Sequence, residues 1–411
     1  MPSLNESQRR KVLASVVATT ATKFADPAMN DVDWATVSAA AAEEIIRAAD
    51  SEEFEGRINA LLQQLGTSHI GFFHGDRPRS PGRIAIAATF MQAETSDGLR
   101  WMFQDVHPGG LAANAGIMPG DVLLTLNDAE VLPPAAPVFA LGADHRVVFR
   151  RRNGQASTVT ISVPTSQSKK RPLIVPDQVV TSRKLDGGIG YLRVSMFPGM
   201  LGIDVARDIS AAISSLATDR LVIDLRGNTG GGIGCLRLMS VLCADRRGVG
   251  YNLGRRQIET ATSKDSLPAF DKIPASKWGI LPLIARFGIK GRSVALFSEG
   301  LGSARHHGRV ALLVNEHSAS ATEMVAGFAS EYKLAHLVGV KTPGKLVAAS
   351  SFSVGRGYRL VLPVGAYYTW NGRKLEGLGV LPNTTEQLRP EGLAIGMDTQ
   401  LDKAIEELAQ G

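Results

Sequence analysis

Apolar residues follow three different rhythms along this chain. Between residues 8 and 65 they return every three or four positions, which predicts helices over Gln8 to Lys23, Trp34 to Ala49 and Ser51 to Leu65. In the third, Phe54, Ile58, Leu61, Leu62 and Leu65 share one face, Ser51 reads as the N-cap with Phe54 at N3, and Gly66 supplies the stop. From about residue 82 to residue 164, short apolar runs alternate with turns, as in a small β-domain. The polar, proline-bearing stretch 165 to 177 is a linker by composition. Beyond it, the runs Ile189 to Val194, Leu221 to Asp224, Val294 to Phe297, Val310 to Val314 and Leu334 to Gly339 predict strands of a mostly parallel sheet covered by helices. The expected fold is α/β overall: a helical region at 1–75, a β-domain at 82–164 and an α/β domain at 178–411, with no internal repeat.

Composition narrows the class without pointing to a chemistry. The 411 residues suffice for two or three domains, and 44% hydrophobic with 20% charged residues is a globular balance that argues against wholesale disorder. The net charge of +6 comes from scattered residues. Arg150-Arg151-Arg152 and Lys169-Lys170-Arg171 read as solvated strand-end and linker charges, so no nucleic-acid partner is expected. Cys235 and Cys243, on one expected helix, would stand about 12 Å apart along its axis, too far for a disulfide. No apolar leader follows Met1 and no apolar run approaches membrane-spanning length. No membrane span is therefore expected, and the expected location is cytoplasmic, or exported if translation starts elsewhere. Nothing in the pattern sets an oligomeric state.

Candidate chemistry concentrates at two strand-to-helix junctions. Val310 to Val314 runs into Asn315-Glu316-His317-Ser318-Ala319-Ser320, and a helix of small and apolar residues is expected from Ala321 to Ala329. A serine there can lift its hydroxyl off the sheet edge while helix-start N–H groups point at the same space, which suits a nucleophile and its oxyanion. The plainer reading is an N-cap serine. The second junction carries Leu221-Val222-Ile223 into Asp224-Leu225-Arg226-Gly227-Asn228-Thr229-Gly230-Gly231-Gly232. It lacks the phosphate-cradling glycine signatures, so it reads as an oxyanion turn, or as a tight turn alone.

Together these segments resemble the S41 serine peptidases, which include the C-terminal processing (tail-specific) proteases and the tricorn core protease. The likeness extends to Gly339-Val340-Lys341-Thr342-Pro343-Gly344-Lys345, to Leu375-Glu376-Gly377-Leu378-Gly379-Val380-Leu381-Pro382-Asn383, and to an expected closing helix, Leu401 to Leu408. Gly109-Gly110-Leu111-Ala112-Ala113-Asn114-Ala115-Gly116-Ile117-Met118-Pro119-Gly120-Asp121-Val122-Leu123 resembles part of a PDZ domain, a module that binds extended peptides by strand addition. The resemblance implies a ClpP/crotonase-like α/β peptidase domain that hydrolyses peptides or unfolded protein segments through an acyl-enzyme on Ser320. It also implies an oxyanion hole from the N–H groups of Ala321 and of Gly230 or Gly231, with no metal and no cofactor.

Two residues compete for the role of base. In the processing branch it is a lysine, and Lys345 lies 25 residues past Ser320; a buried lysine with a lowered pKa can act this way. In the tricorn-like branch it is the histidine of a Ser-His pair ahead of the PDZ region, supported by a glutamate. Ser68-His69 and Glu376 match that pattern, and imidazole needs little tuning near neutral pH. Leu346, where processing proteases usually carry glycine, favours His69, leaving Lys345 as an electrostatic or substrate-carboxylate contact. His317 is a further alternative, and His306, His307 and His317 lack metal-ligand spacing. The rival function is an S41-like protein that has lost catalysis and serves as a ligand-binding or scaffolding protein.

Overall fold

A computed structural model of the chain describes residues 4–75, 79–165, 175–199, 202–274 and 293–410. The expected linker run Lys169-Lys170-Arg171 lies outside the described residues. Two sheets build the α/β part. The first runs, in spatial order, Val180–Lys184, Gly190–Val194, Arg220–Asp224, Arg309–Val314, His336–Gly339 and Thr384–Thr385; its first pair is antiparallel and the rest are parallel. The four central strands are apolar runs expected from the sequence, whereas Val180–Lys184 and Thr384–Thr385 were not expected; alternate residues of the central strands serve opposite faces. Leu221, Ile223, Leu312 and Val314 meet the helices Ile203–Leu216, Cys235–Val241 and Ala321–Glu331. Val222, Ala311, Leu313 and Val338 meet Ala404 and Leu408 of the closing helix Thr399–Ala409. Burial on both faces is what parallel strands require, and each such side chain contributes about 1.5–3 kcal/mol. Both cysteines are free and buried.

The second sheet was not foreseen: Val294–Phe297, expected in the parallel sheet, belongs here instead and pairs antiparallel with Gly248–Gly254. It orders Gly71–His74, Tyr358–Thr369, Gly248–Gly254, Val294–Phe297 and Ala269–Phe270, with Val347–Gly355 forming a hairpin on Tyr358–Thr369. The N-terminal helices Glu6–Lys23, Trp34–Ile46 and Ser51–Gln63 share their core with this sheet: Phe54, Ile58, Leu62 and Phe72 pack with Tyr358, Leu360 and Leu362. Phe72 stacks on Tyr358 with ring centres 4.8 Å apart. The third helix is capped by Asp50 rather than Ser51, because the Asp50 carboxylate accepts the N–H groups of both Glu52 and Glu53, at 2.9 and 2.8 Å. A carboxylate at the positive end of a helix outcompetes a hydroxyl.

Residues 88–163 form an antiparallel sheet, Ala88–Thr95, Gly98–Val106, Val122–Leu126, Ala143–Arg150 and Ala156–Val163, around Phe103, Leu123, Phe149 and Ile161. The helix Leu111–Asn114 precedes Val122–Leu126, as the sequence suggested. The other face of this sheet is covered too: Ala93, Met102 and Val122 pack on Leu388 and Leu393, just ahead of the closing helix. Among the described residues no helix is long and apolar enough to cross a membrane.

Candidate active site

The strands Arg220–Asp224 and Arg309–Val314 are parallel neighbours with Asp224 opposite Leu313, so the two loops that follow them leave the same sheet edge side by side. That carboxyl-terminal edge is where open α/β sheets place their ligands. The loops are laced together by short polar side chains. Ser318 Oγ donates to Leu225 O and accepts from Asn315 N–H, both at 2.9 Å. Asn315 Oδ1 accepts the Gly227 N–H at 3.0 Å, and Asn228 O accepts the Ala319 N–H at 2.9 Å. This lacing holds Ser320 at φ 59°, ψ −122°, directly before the helix Ala321–Glu331. Such a backbone is costly for any residue with a Cβ and persists only where its surroundings enforce it. A strained serine on a strand-to-helix turn is the geometry of a nucleophile elbow.

Gly230 and Gly231 face this turn. A Cβ on Gly230, whose φ is +87°, would stand 2.7 Å from Ser320 Cβ and 2.6 Å from Ala321 N. Only glycine allows that approach. The two glycines are not equivalent as oxyanion donors. The Gly230 N–H is taken by Asn228 Oδ1 at 2.8 Å, which removes it from the candidate pair. The N–H groups of Gly231 and Ala321 have no acceptor among the described residues.

His69, itself at φ 54°, sits in the loop that leads into Gly71–His74. Its Nδ1 lies 2.8 Å from Ser68 Oγ, and Ser68 Oγ lies 3.1 Å from Glu376 Oε2. Glu376 also accepts the Ser68 N–H at 2.6 Å, the Thr67 hydroxyl at 3.1 Å and the Leu346 N–H at 2.7 Å. With the carboxylate accepting the Ser68 O–H, the Ser68 oxygen accepts a hydrogen bond from His69 Nδ1–H, and Nε2 is left with its lone pair. His69 is exposed, yet the protein around it lowers its pKa chiefly by desolvation; Glu376 opposes this, and the cations Arg83 and Lys345 add to it. Among the described residues no hydrogen bond joins Ser320 Oγ to His69 or to Lys345.

Glu323, part of the serine motif but given no role by the sequence, connects the parts. Fully buried, it accepts from Ser320 N–H at 3.1 Å, Lys345 N–H at 2.7 Å, Gly344 N–H at 2.7 Å and the Thr342 hydroxyl at 2.7 Å. Burial raises its pKa, and these hydrogen bonds pull it back. Lys345 therefore begins beside Ser320, but its side chain is exposed, unlike the desolvated lysine that serves as a neutral base. His317 faces elsewhere: its Nε2 lies 3.1 Å from Phe90 O and 3.2 Å from Gln104 Oε1 on the β-domain.

A buried ionic cluster, also missed by the sequence, supports the glycine turn. Arg226 makes paired hydrogen bonds to Asp224, at 3.0 and 2.8 Å, and to Asp398, both at 2.7 Å, fastening the turn to the closing helix. Asp105 of the β-domain accepts from Asn315 Nδ2 at 2.9 Å. His107 Nε2 lies 3.3 Å from Gly227 O, and its Nδ1 lies 3.3 Å from Arg193 Nη2. Burial and then the Arg193 cation push the His107 pKa down to about 4, while neighbouring arginines hold Asp105 and Asp224 below the usual carboxylate range. Among the described residues no group of three or more His, Cys, Asp or Glu gathers as metal ligands would.

Comparison with known proteins places this geometry. Residues 188–385 match peptidase family S41. The chain is 24% identical over 323 residues to a carboxyl-terminal-processing protease of Picosynechococcus, covering 74% of this chain and 67% of that protein. It is 26% identical over 290 residues to a carboxy-terminal-processing protease of Bartonella bacilliformis, covering 68% and 57%. It is 25% identical over 404 residues to a tricorn protease homolog of Streptomyces coelicolor, covering 93% of this chain and 30% of that protein. The chain thus spans between 30% and 67% of the length of these relatives. In fold it is similar to the photosystem II D1 C-terminal processing protease (TM-score 0.54, 17% identity, 98% of this chain and 97% of that one) and to mature CPAF (TM-score 0.57, 14% identity, 98% and 96%). The matched segment contains the Gly230-Gly231 turn, the strained Ser320 turn and Glu376, while Ser68 and His69 precede it, so this part of the chain is similar to the S41 peptidases.

Proposed function

We propose that this chain is a serine endopeptidase that cleaves peptides or unfolded protein segments, with His69 rather than Lys345 as the base. The observation that supports the reading is the relay Glu376–Ser68–His69, whose carboxylate also accepts the Leu346 N–H, next to the Lys345 N–H that shares Glu323 with the Ser320 N–H. In the mechanism, His69 Nε2 takes the Ser320 hydroxyl proton as Oγ attacks the scissile carbonyl. The N–H groups of Gly231 and Ala321 hold the oxyanion. The same proton passes to the departing amine, the acyl group stays on Ser320, and water, deprotonated by His69, releases the acid and restores the serine. Substrate closes the gap between His69 and Ser320, since catalytic hydrogen bonds of a free enzyme commonly tighten only in the complex. Ser68 and Glu376 fix the tautomer and steady the imidazolium.

The β-domain is proposed to act as a PDZ-like module. Its strand Ala88–Thr95 lies at the sheet edge, where an extended peptide could add. The reading is tested by turnover of an unfolded protein substrate. Ser320→Ala should lower kcat by at least about 10³-fold with its thermal unfolding little changed. Equal turnover by wild type and variant would remove Ser320 from the mechanism, and no turnover by either would favour the binding-only rival.

A further inference from the structure

One pair of buried side chains joins the β-domain to both loops of the site. Asp105 stands near the end of the strand Gly98–Val106, and Asn315 directly follows the strand Arg309–Val314. Asn315 uses both ends of its amide. Its Oδ1 accepts the Gly227 N–H at 3.0 Å and the His317 N–H at 3.1 Å, which ties the glycine turn to the serine loop. Its Nδ2 donates to Asp105 Oδ2 at 2.9 Å. Asp105 is held in turn from within the β-domain: Thr89 Oγ1 donates to Oδ2 at 2.6 Å and accepts the Asp105 N–H at 3.0 Å. Arg193 Nη2 stands 3.8 Å from Asp105 Oδ1, and against the effect of burial the nearby cations, Arg193 foremost, keep this carboxyl below the usual carboxylate range and ionised. An ionised carboxylate only accepts, so it meets the NH₂ end of Asn315 and leaves the oxygen for the two loops. Gly227 lies three residues before Gly230, and Ser320 three after His317, so a shift of this amide reaches the nucleophile and the glycine turn together. Without Asp105 the NH₂ is unpaired in a buried site, a cost that the amide relieves by moving.

Resting on the serine-peptidase reading, we propose that Asp105 is a positioning residue for the reaction: a side chain of the β-domain that acts through Asn315 to hold the glycine turn and the serine loop at their reacting spacing. The β-domain is then part of the frame of the site, whatever peptide it also binds.

The test measures kcat and KM of the full chain on an unfolded protein substrate, each value corrected for the folded fraction read from denaturant unfolding. Asp105→Ala should lower kcat by about 10²-fold, the cost of misplacing reacting groups by an ångström, with KM little changed. Asn315→Asp sets two carboxylates against each other and should lose at least as much. Combining Asp105→Asn with Asn315→Asp turns the pair round: the amide at 105 donates to the carboxylate at 315, which still accepts from Gly227 and His317. This exchange should recover at least about 10-fold of the kcat lost by Asn315→Asp. A residue that merely stabilises the fold would change the folded fraction and leave the corrected kcat alone. Wild-type kcat in Asp105→Ala, or an exchange variant no better than Asn315→Asp, overturns the inference and leaves the peptidase reading intact. Should either single variant fail to fold, the exchange variant is compared with wild type: a kcat within about 10-fold supports the inference, and a larger loss overturns it. If wild type neither cleaves the substrate nor takes up a fluorophosphonate, both fall together.

Discussion

Glu323 and Glu376 accept consecutive backbone amides: Oε2 of Glu323 takes the Lys345 N–H and Oε2 of Glu376 takes the Leu346 N–H, each at 2.7 Å. One carboxylate also holds the backbone of Ser320 and the other holds Ser68, so residues 345 and 346 set the spacing between the nucleophile turn and the relay. Glu323→Gln turns an amide NH₂ toward donors in a buried site. It should destabilise the fold by about 1–3 kcal/mol and lower kcat as well, as read by denaturant unfolding and turnover. An unchanged midpoint and unchanged kcat would show that Glu323 does not position Ser320.

Glu376→Gln should act mainly on turnover and on its pH dependence. A wrongly placed orienting group costs about 10²- to 10⁴-fold in kcat, by analogy with a triad carboxylate. The sign of the pH shift follows from the charges. His69 is already below the ordinary imidazole value of 6.5, and Glu376 is the group that raises it. A base works unprotonated, so the acidic limb of kcat/KM should lie below pH 6.5 in wild type and fall further in Glu376→Gln. Lys345→Gln removes a cation that lowers the His69 pKa, so its limb should move up. A limb on the alkaline side that disappears in Lys345→Gln would instead make the lysine the base.

Gly230→Ala should abolish the proposed peptidase activity. Its Cβ would press on Ser320 Cβ and on Ala321 N, and the required φ of +87° is strained for alanine. A loss of about 1–3 kcal/mol in stability is expected, with kcat falling far more than the unfolded fraction explains. Activity assays alongside thermal unfolding separate the two effects.

Acid should weaken the junction between the β-domain and the glycine turn. His107, buried and neutral with its pKa down at about 4, stays unprotonated in the fold while the unfolded chain protonates near pH 6.5. Stability should therefore fall by up to about 1.4 kcal/mol per pH unit between these values. Asp105 and Asp224, whose folded pKa values are depressed, contribute fully above their ordinary carboxylate range and lose that contribution as pH falls through the folded values. His107→Gln should flatten the slope between pH 6.5 and 4 and leave the more acidic part, as seen in denaturant midpoints across pH.

Much of this site could be read along the chain because it follows single strands. Val310 to Val314 and Leu221 to Ile223 are short, wholly apolar runs that lead into polar and turn residues, so the strands and both loops were visible, as was the helix after Ser320. Ser68, His69 and Glu376 came from a motif, and spacing alone could not bring together residues some three hundred positions apart. The strand Gly71–His74 does so by pairing with Tyr358–Thr369. That second sheet escaped notice because Val347–Gly355 carries Ser350, Ser351 and Ser353, which weaken its apolar alternation. The separate availability of the Gly230 and Gly231 amides depends on one Asn228 hydrogen bond, which leaves no trace in sequence. The Asp50 cap shows a local competition between two good capping residues that only the carboxylate geometry decides.

The most direct test of the central claim is the rate at which a fluorophosphonate labels the full chain, followed by intact mass and peptide mapping between pH 5 and 9. The expected result is one adduct, on Ser320, absent in Ser320→Ala. Labelling should be at least about 10²-fold slower in His69→Ala, with Lys345→Ala retaining most of the wild-type rate. Labelling that survives Ser320→Ala, or that is lost in Lys345→Ala while His69→Ala keeps the wild-type rate, would contradict the Glu376–Ser68–His69–Ser320 relay.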